Sequence, residues 1–363
     1  MTLPLLLLIL NFVIQPKSEP INISMSNHYK LLIILFLIFA GTLTSCKKHD
    51  HVLRVGLVSG IGSLHDRGFN QQALTGLQVA TQQLPISWVA KESTSATEID
   101  SNIRYFAKNN YDIVISLGYN ASEATLQAAN AYPSTKFILL DFALPTVPAN
   151  LVCINYKVDE ASFPCGYLAA YWALVKDSAS PVVGYVAGPR IPEIDQFTVS
   201  FEKGIEYFNA RYHKSVSSAG SHAGNFNDTL QGAHLADSLI RRGADVIFAC
   251  GGRMGNGALY KAKENMVNAI GVDTDQYYSI PDVGANLLTS CIKRLDMSVE
   301  MELTSIVSGQ FHGGQNLHSD LQNNGVDLAP YHDFDALISN TIKQEIQAIK
   351  SGIKNGTIST GWK

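Results

Sequence analysis

From Val52 onward, short aliphatic or β-branched runs alternate with longer stretches of helical periodicity, and this alternation limits the possible folds more than any other feature of the chain. Strands are predicted at Val52–Val58, Ile86–Lys91, Ile113–Leu117, Phe137–Phe142 and Val152–Tyr156. Helical stretches at Gln71–Gln83, Glu98–Asn109 and Ser122–Ala131 lie between them. A second series follows: helix Ser162–Val175, strand Val182–Ala187, helix Asp195–Tyr212, strand Ser215–Gly220, helix Leu230–Arg242, strand Val246–Cys250, helix Gly257–Asn265 and strand Ala269–Val272. Strict β-α alternation at this spacing predicts an α/β fold, with parallel sheets covered by helices on both faces. No Pro/Gly/Ser-rich linker separates the two series, so two lobes joined by crossing strands are expected. The crossings are placed near Tyr156–Ser162, Asn286–Cys291 and Gly325–Asp327. Helix Ile292–Val307 would return to the first lobe, and Asp333–Lys354 would finish on the second. This assigns residues 52–160 and 289–326 to lobe 1, and residues 161–288 and 327–363 to lobe 2.

The first strand runs into the Ser/Gly-rich loop Ser59–Ser63 and then into Asp66-Arg67-Gly68-Phe69-Asn70, which opens a helix. In open α/β sheets, ligands bind beyond the carboxyl ends of the strands, where Asp66, Phe69 and Asn70 would lie. An acceptor, an aromatic plate and an amide so close together suit a planar heterocycle. The same residues also suit a plain helix start, with Asp66 and Asn70 as caps and Phe69 as a hydrophobic staple. Other predicted strand ends are polar or glycine-rich: Gly118-Tyr119-Asn120, Asp141, Gly251-Gly252 and Asp273. Polar residues gathered at the edges of two sheets describe a cleft between lobes that closes on a ligand.

Before Val52 the chain reads differently. From Met25 a basic segment precedes the apolar run Leu31–Ala40, followed by Gly-Thr-Leu-Thr-Ser-Cys. That order describes a secretory signal over residues 1–45. Leu43-Thr44-Ser45-Cys46 resembles a bacterial lipobox, with Cys46 as the lipidated first residue and 46–51 as a tether. The run is shorter than the ~20 residues of a membrane span. The earlier run Leu3–Ile14 has no basic residue before it, which makes Met25 an alternative start. Cys153, Cys165, Cys250 and Cys291 lie in apolar runs without CxxC or His partners and read as buried thiols, a Cys153–Cys165 bridge staying open. No metal is assigned to the scattered His65, His222 and His312. The 363-residue chain has net charge −4 and no basic stripe, which argues against a nucleic-acid polymer as partner.

Several ordered stretches together resemble the basic membrane protein lipoproteins, the purine nucleoside receptor A-like substrate-binding proteins of ABC importers. Asp66-Arg67-Gly68-Phe69-Asn70 is similar to the family's Asp-Lys-Ser-Phe-Asn, and Tyr156–Phe163 to its Phe-Lys-x-x-Glu-Gly-Ser-Phe. Ile191-Pro192-Glu193-Ile194 with Phe197, Phe201 and Gly204 resembles its Pro-x-Val-x-x-Phe region. Ala249–Gly255 and Gly271–Gln276 follow in order, then Thr289–Arg294 and Leu328–Asp333. The resemblance implies the type I periplasmic binding protein fold, with two doubly wound parallel-sheet lobes joined by a multi-strand hinge. It also implies a purine nucleoside ligand (adenosine, guanosine or inosine), no cofactor, and a lipid anchor through Cys46 on the extracytoplasmic side of a bacterial membrane beside an ABC permease. Carried over, Phe69 and Phe197 would sandwich the base, and Asp66, Asn70 and Asp141 would read its edge. Asp273 would accept the ribose hydroxyls, Lys293 would donate to the sugar, and the backbone at Gly252 would approach closely. Tyr119, Arg253, Met254 and Gly255 are further candidates. Gly68, Arg253-Met254 and Cys165 depart from the usual pattern, and Arg253 would stand beside the sugar site.

Two other functions compete. The same fold could bind a different solute, such as a simple sugar, as importer receptor or sensor. A nucleoside hydrolase is disfavoured because Asp66 has no close carboxylate partner in the sequence and no GxSxG or HExxH motif occurs.

Overall fold

The structure, a computed structural model, describes residues 52–363. The expected signal segment, Cys46 and its tether lie outside the described residues. The first sheet contains β1 (Leu53–Ile61), β2 (Ile86–Ser93), β3 (Ile113–Leu117), β4 (Lys136–Leu140) and β5 (Leu151–Tyr156). Helices α1 (Phe69–Gln83), α2 (Ala96–Lys108) and α3 (Ser122–Ala131) connect these strands. The second series runs α4 (Val158–Lys176), β6 (Val182–Ala187), α5 (Pro192–Tyr212), β7 (Ser217–His222), α6 (Thr229–Arg241), β8 (Val246–Cys250), α7 (Gly252–Glu264), β9 (Asn268–Asp273) and β10 (Leu287–Lys293). The chain finishes with α8 (Leu295–Val307), β11 (Gln315–Ser319), β12 (Val326–Leu328) and α9 (Asn340–Lys354).

The first sheet has the order β11-β5-β4-β3-β1-β2 and the second β12-β10-β9-β8-β6-β7. All pairings are parallel except β10 with β12. Each is therefore a doubly wound sheet whose strand order reverses once, between β1 and β3 and again between β6 and β8. A crevice opens at such a switch point. Every residue of β3 and β8 is buried, as expected of parallel strands covered on both faces.

The chain passes between sheets three times: from β5 into α4, from β10 into α8, and from β11 to β12. The second crossing differs from the one expected at Asn286–Cys291. Residues Leu287–Lys293 form a strand beside β9, so the chain leaves the second sheet only after Lys293, and the helix starts at Leu295 instead of Ile292. The apolar Leu287-Leu288 and Cys291-Ile292 pairs fit a helix as well as a strand, which is why periodicity misplaced this boundary. Strand β11, Gln-Asn-Leu-His-Ser, has no apolar run to announce it.

Helices α4 and α5 meet at two glycines. A Cβ on Gly166 would run into the carbonyl of Phe201, and one on Gly204 into that of Phe163. The two backbones thus touch, and the core beside them holds Phe163, Tyr167, Phe201 and Phe208. Cys153, Cys165, Cys250 and Cys291 are free, buried thiols.

Candidate functional site

A cavity lies where the two switch points face each other, under the carboxyl ends of β1, β3 and β4 on one side and of β8, β9 and β10 on the other. Its wall includes Asp66, Phe69, Asn70, Asp141, Phe197, Gly252, Asp273 and Lys293, together with Tyr119 and Arg253. Met254 and Gly255 are not in the wall. Met254 is fully buried and packs against Gly232 and Gly251, while Gly255 lies against the Ala249 carbonyl; the first turn of α7 carries both into the core. That helix begins at Gly252 and not near Gly257 as periodicity suggested, its weak glycine propensity hiding its first turn.

Asp66 and Asn70 are engaged in building the loop. The Asp66 carboxylate accepts the N–H groups of Gly68 (2.9 Å), Asn70 (2.9 Å) and Gln71 (3.1 Å), and the Asn70 Nδ2 (3.1 Å). Asn70 Oδ1 in turn accepts the Gly60 N–H at 2.9 Å. A carboxylate offers about four acceptor positions, and here four donors fill them. Burial pushes the Asp66 carboxyl up from the usual range, against these hydrogen bonds. The pair fixes the α1 start and aims Phe69 at the cavity, which leaves the base-reading role expected of Asp66 without a vacant oxygen.

Asp141 and Asp273 each stand at a strand end in the left-handed region, with φ of 62° and 68°. Asp tolerates that conformation better than most side chains. Lys293, at the end of β10 and 3% exposed, donates to Asp141 Oδ2 at 2.8 Å. Its ammonium lies 5.3 Å from the Phe69 ring centre and 5.2 Å from that of Phe197. Burial works against its charge, but Asp141 and Asp273 outweigh it and hold the lysine protonated. Asp273 is 6% exposed, and none of the described residues donates a hydrogen bond to its carboxylate. Burial, with Asp66 and Asp141 nearby, pushes it up to about 6 against the pull of Lys293.

Other wall residues were not singled out from sequence. Phe226 packs its ring over Gly188 and faces the cavity; the only hint was a lone aromatic in the polar loop Gly224–Asn227. Glu193, in the first turn of α5, also lines the wall. Phe201, one turn beyond Phe197, is instead stacked on Phe248 at 4.4 Å. Glu160 lies at a crossing, where its carboxylate accepts the Leu321 N–H. Among the described residues no cluster of three or more His, Cys, Asp or Glu side chains could hold a metal ion.

Hydrogen bonds join the two sides around the cavity. Asn256 Nδ2 donates to the Asp66 carbonyl (2.9 Å), Gln72 Nε2 to the Asp273 carbonyl (3.3 Å), Ser279 Oγ to the Arg67 carbonyl (2.8 Å) and Asn227 Nδ2 to the Ile61 carbonyl (3.3 Å). The cavity measures about 90 Å³, below the roughly 300–1,000 Å³ typical of ligand pockets.

Two doubly wound lobes, three crossings and a polar and aromatic cavity between them define the type I periplasmic binding protein fold. A profile of the family described as ABC transporter substrate-binding protein PnrA-like, or Bmp, matches residues 54–361, and the chain belongs to that family. It is 28% identical to a Listeria monocytogenes protein named CD4+ T-cell-stimulating antigen (84% of this chain, 87% of that one). It is 26% identical to Basic membrane protein D of Borreliella burgdorferi (91% and 93%), and 25% identical to the ABC transporter nucleoside-binding protein BmpA of Lactococcus lactis (88% and 94%). A solved ABC transporter solute-binding protein from Aeropyrum pernix superposes with a TM-score of 0.79 at 22% identity (85% and 92% of the two chains), a likeness of fold.

Proposed function

We propose that this substrate-binding protein captures a purine nucleoside in the cavity and delivers it to an ABC permease, held at the extracytoplasmic membrane face by acylated Cys46. The observation that carries the reading is the coincidence in one cavity of two aromatic rings, Phe69 and Phe197, with the Lys293 ammonium and a buried Asp273 carboxylate that accepts no hydrogen bond among the described residues. A base stacked on an aromatic ring contributes about 1–3 kcal/mol per base. A carboxylate can accept both hydroxyls of a cis-diol, each a charge-assisted bond. The name of the Lactococcus lactis relative supports a nucleoside.

The test is calorimetric titration of purified protein, unfolded and refolded to strip carried-over ligand, with adenosine, guanosine, inosine, uridine and ribose. Binding of purine nucleosides, weakened about 100-fold by Asp273→Ala, is the expected result; binding of ribose alone would move the protein to the sugar-receptor reading. The anchor is tested separately: cells fed a labelled fatty acid should label the wild-type chain and not Cys46→Ser. A single acyl chain binds membranes only marginally, so two or three chains on Cys46 are expected by mass spectrometry.

A further inference from the structure

We propose that Glu193 is a specificity-determining residue that, together with Asp273, admits donor-bearing, uncharged or cationic ligands and rejects nucleoside phosphates. The inference rests on the nucleoside reading and deepens it. The acidic groups of the cavity wall are Asp66, Asp141, Glu193 and Asp273, and Lys293 is the one buried cation facing them. Four N–H groups occupy Asp66, and Lys293 is paired with Asp141. Two carboxylates remain without a side-chain donor, Asp273 and Glu193, and burial raises both above the usual range. Among the described residues Glu193 meets only its own N–H, and it feels Asp141 and Lys293 across the cavity.

A carboxylate accepts hydrogen bonds and cannot donate one while ionised. Two unfilled carboxylates in one cavity, Asp273 buried and Glu193 half-buried, therefore favour donors on the ligand, such as sugar hydroxyls, ring N–H or exocyclic amines. A phosphate brings close to two negative charges and no donor. Beside partly buried charges, like charges repel more strongly than in bulk water. Arg253, the other cation in the wall, is exposed, and its charge acts on Glu92 outside the cavity. A nucleotide would therefore have to lose its phosphate by hydrolysis before capture.

The experiment titrates the full chain with a purine nucleoside and with its 5′-monophosphate, in the wild type, Glu193→Gln and Glu193→Asp. The wild type should prefer the nucleoside by about 100-fold or more. Glu193→Gln should weaken nucleoside binding about tenfold, by loss of a charge-assisted bond, and narrow the preference about tenfold. Glu193→Asp keeps the charge and should restore the preference; this rescue separates charge from packing. Equal binding of both forms by the wild type, or an unchanged preference in Glu193→Gln, overturns the inference while leaving the nucleoside reading intact. Failure of every nucleoside to bind overturns both.

Discussion

The Asp273 carboxylate is buried without a hydrogen-bond donor among the described residues, and burial pushes it up to about 6, so its protonation couples to both folding and ligand binding, with opposite signs. In the ligand-free protein the native state keeps this proton up to about pH 6, whereas the unfolded chain releases it near the ordinary 3.8. The native state binds the extra proton in that window, so the contribution of Asp273 to stability declines as pH rises through it. The ionised carboxylate accepts sugar hydroxyls more strongly than the protonated form, so nucleoside affinity should fall as pH drops below about 6. Titrations across that range should show this slope in the wild type and lose it in Asp273→Asn. Asp66 has a different role. Asp66→Ala frees the donors at the start of α1 and should lower stability by about 1–2 kcal/mol in urea unfolding, and its effect on affinity should follow from a displaced Phe69. The sequence supported both a capping and a binding role for Asp66, because the same residue types serve either purpose. Only the count of donors around its oxygens separates the two.

At the scale of elements, α9 is fastened to α4 and α5 through one residue. Glu345 accepts the hydroxyls of Tyr167 (2.6 Å) and Tyr212 (2.8 Å) and pairs with Arg211 (2.7 Å). Burial pushes its carboxyl up, but the two tyrosines and the arginine together hold it below the usual range. It therefore contributes stability that is present above the ordinary glutamate range and lost as pH falls through its lowered value. Glu345→Ala should cost about 2–3 kcal/mol in denaturant unfolding. Where α4 touches α5, Gly166→Ala forces a methyl into the Phe201 carbonyl and should cost about 1–3 kcal/mol or more, with a lower Tm. Most elements were legible in the sequence because parallel strands buried on both faces read as unbroken apolar runs, as in Ile113–Leu117 and Val246–Cys250. Strands β10 and β11 were not. Apolar pairs in the first fit either period, and the second has a single apolar residue, Leu317, among polar ones, held by pairing with β5 instead of by side-chain burial.

At the scale of the whole molecule, hydrogen bonds cross between lobes beside the cavity, and two of the donors, Asn256 and Gln72, are buried. Asn256 reaches the Asp66 carbonyl and also accepts from Gln276 at 3.1 Å, tying the end of β9 to the loop that carries Phe69. Opening would expose these groups to water at modest cost, which suits a hinge whose two states lie within a few kcal/mol. Asn256→Ala should shift the ligand-free protein toward a larger radius of gyration in solution scattering, with addition of nucleoside restoring the compact value. None of these cross-lobe partners was legible from sequence, because they pair residues such as Asp66 and Asn256 that are 190 positions apart. The site's outline was legible, since polar residues at strand ends gather at one edge by topology alone. The most direct measurement is a crystal structure of the protein with its tightest-binding purine nucleoside. The predicted result is a base between Phe69 and Phe197 with both ribose hydroxyls on Asp273. A ligand bound elsewhere, or a base in this cavity with its sugar away from Asp273 and Lys293, would contradict it.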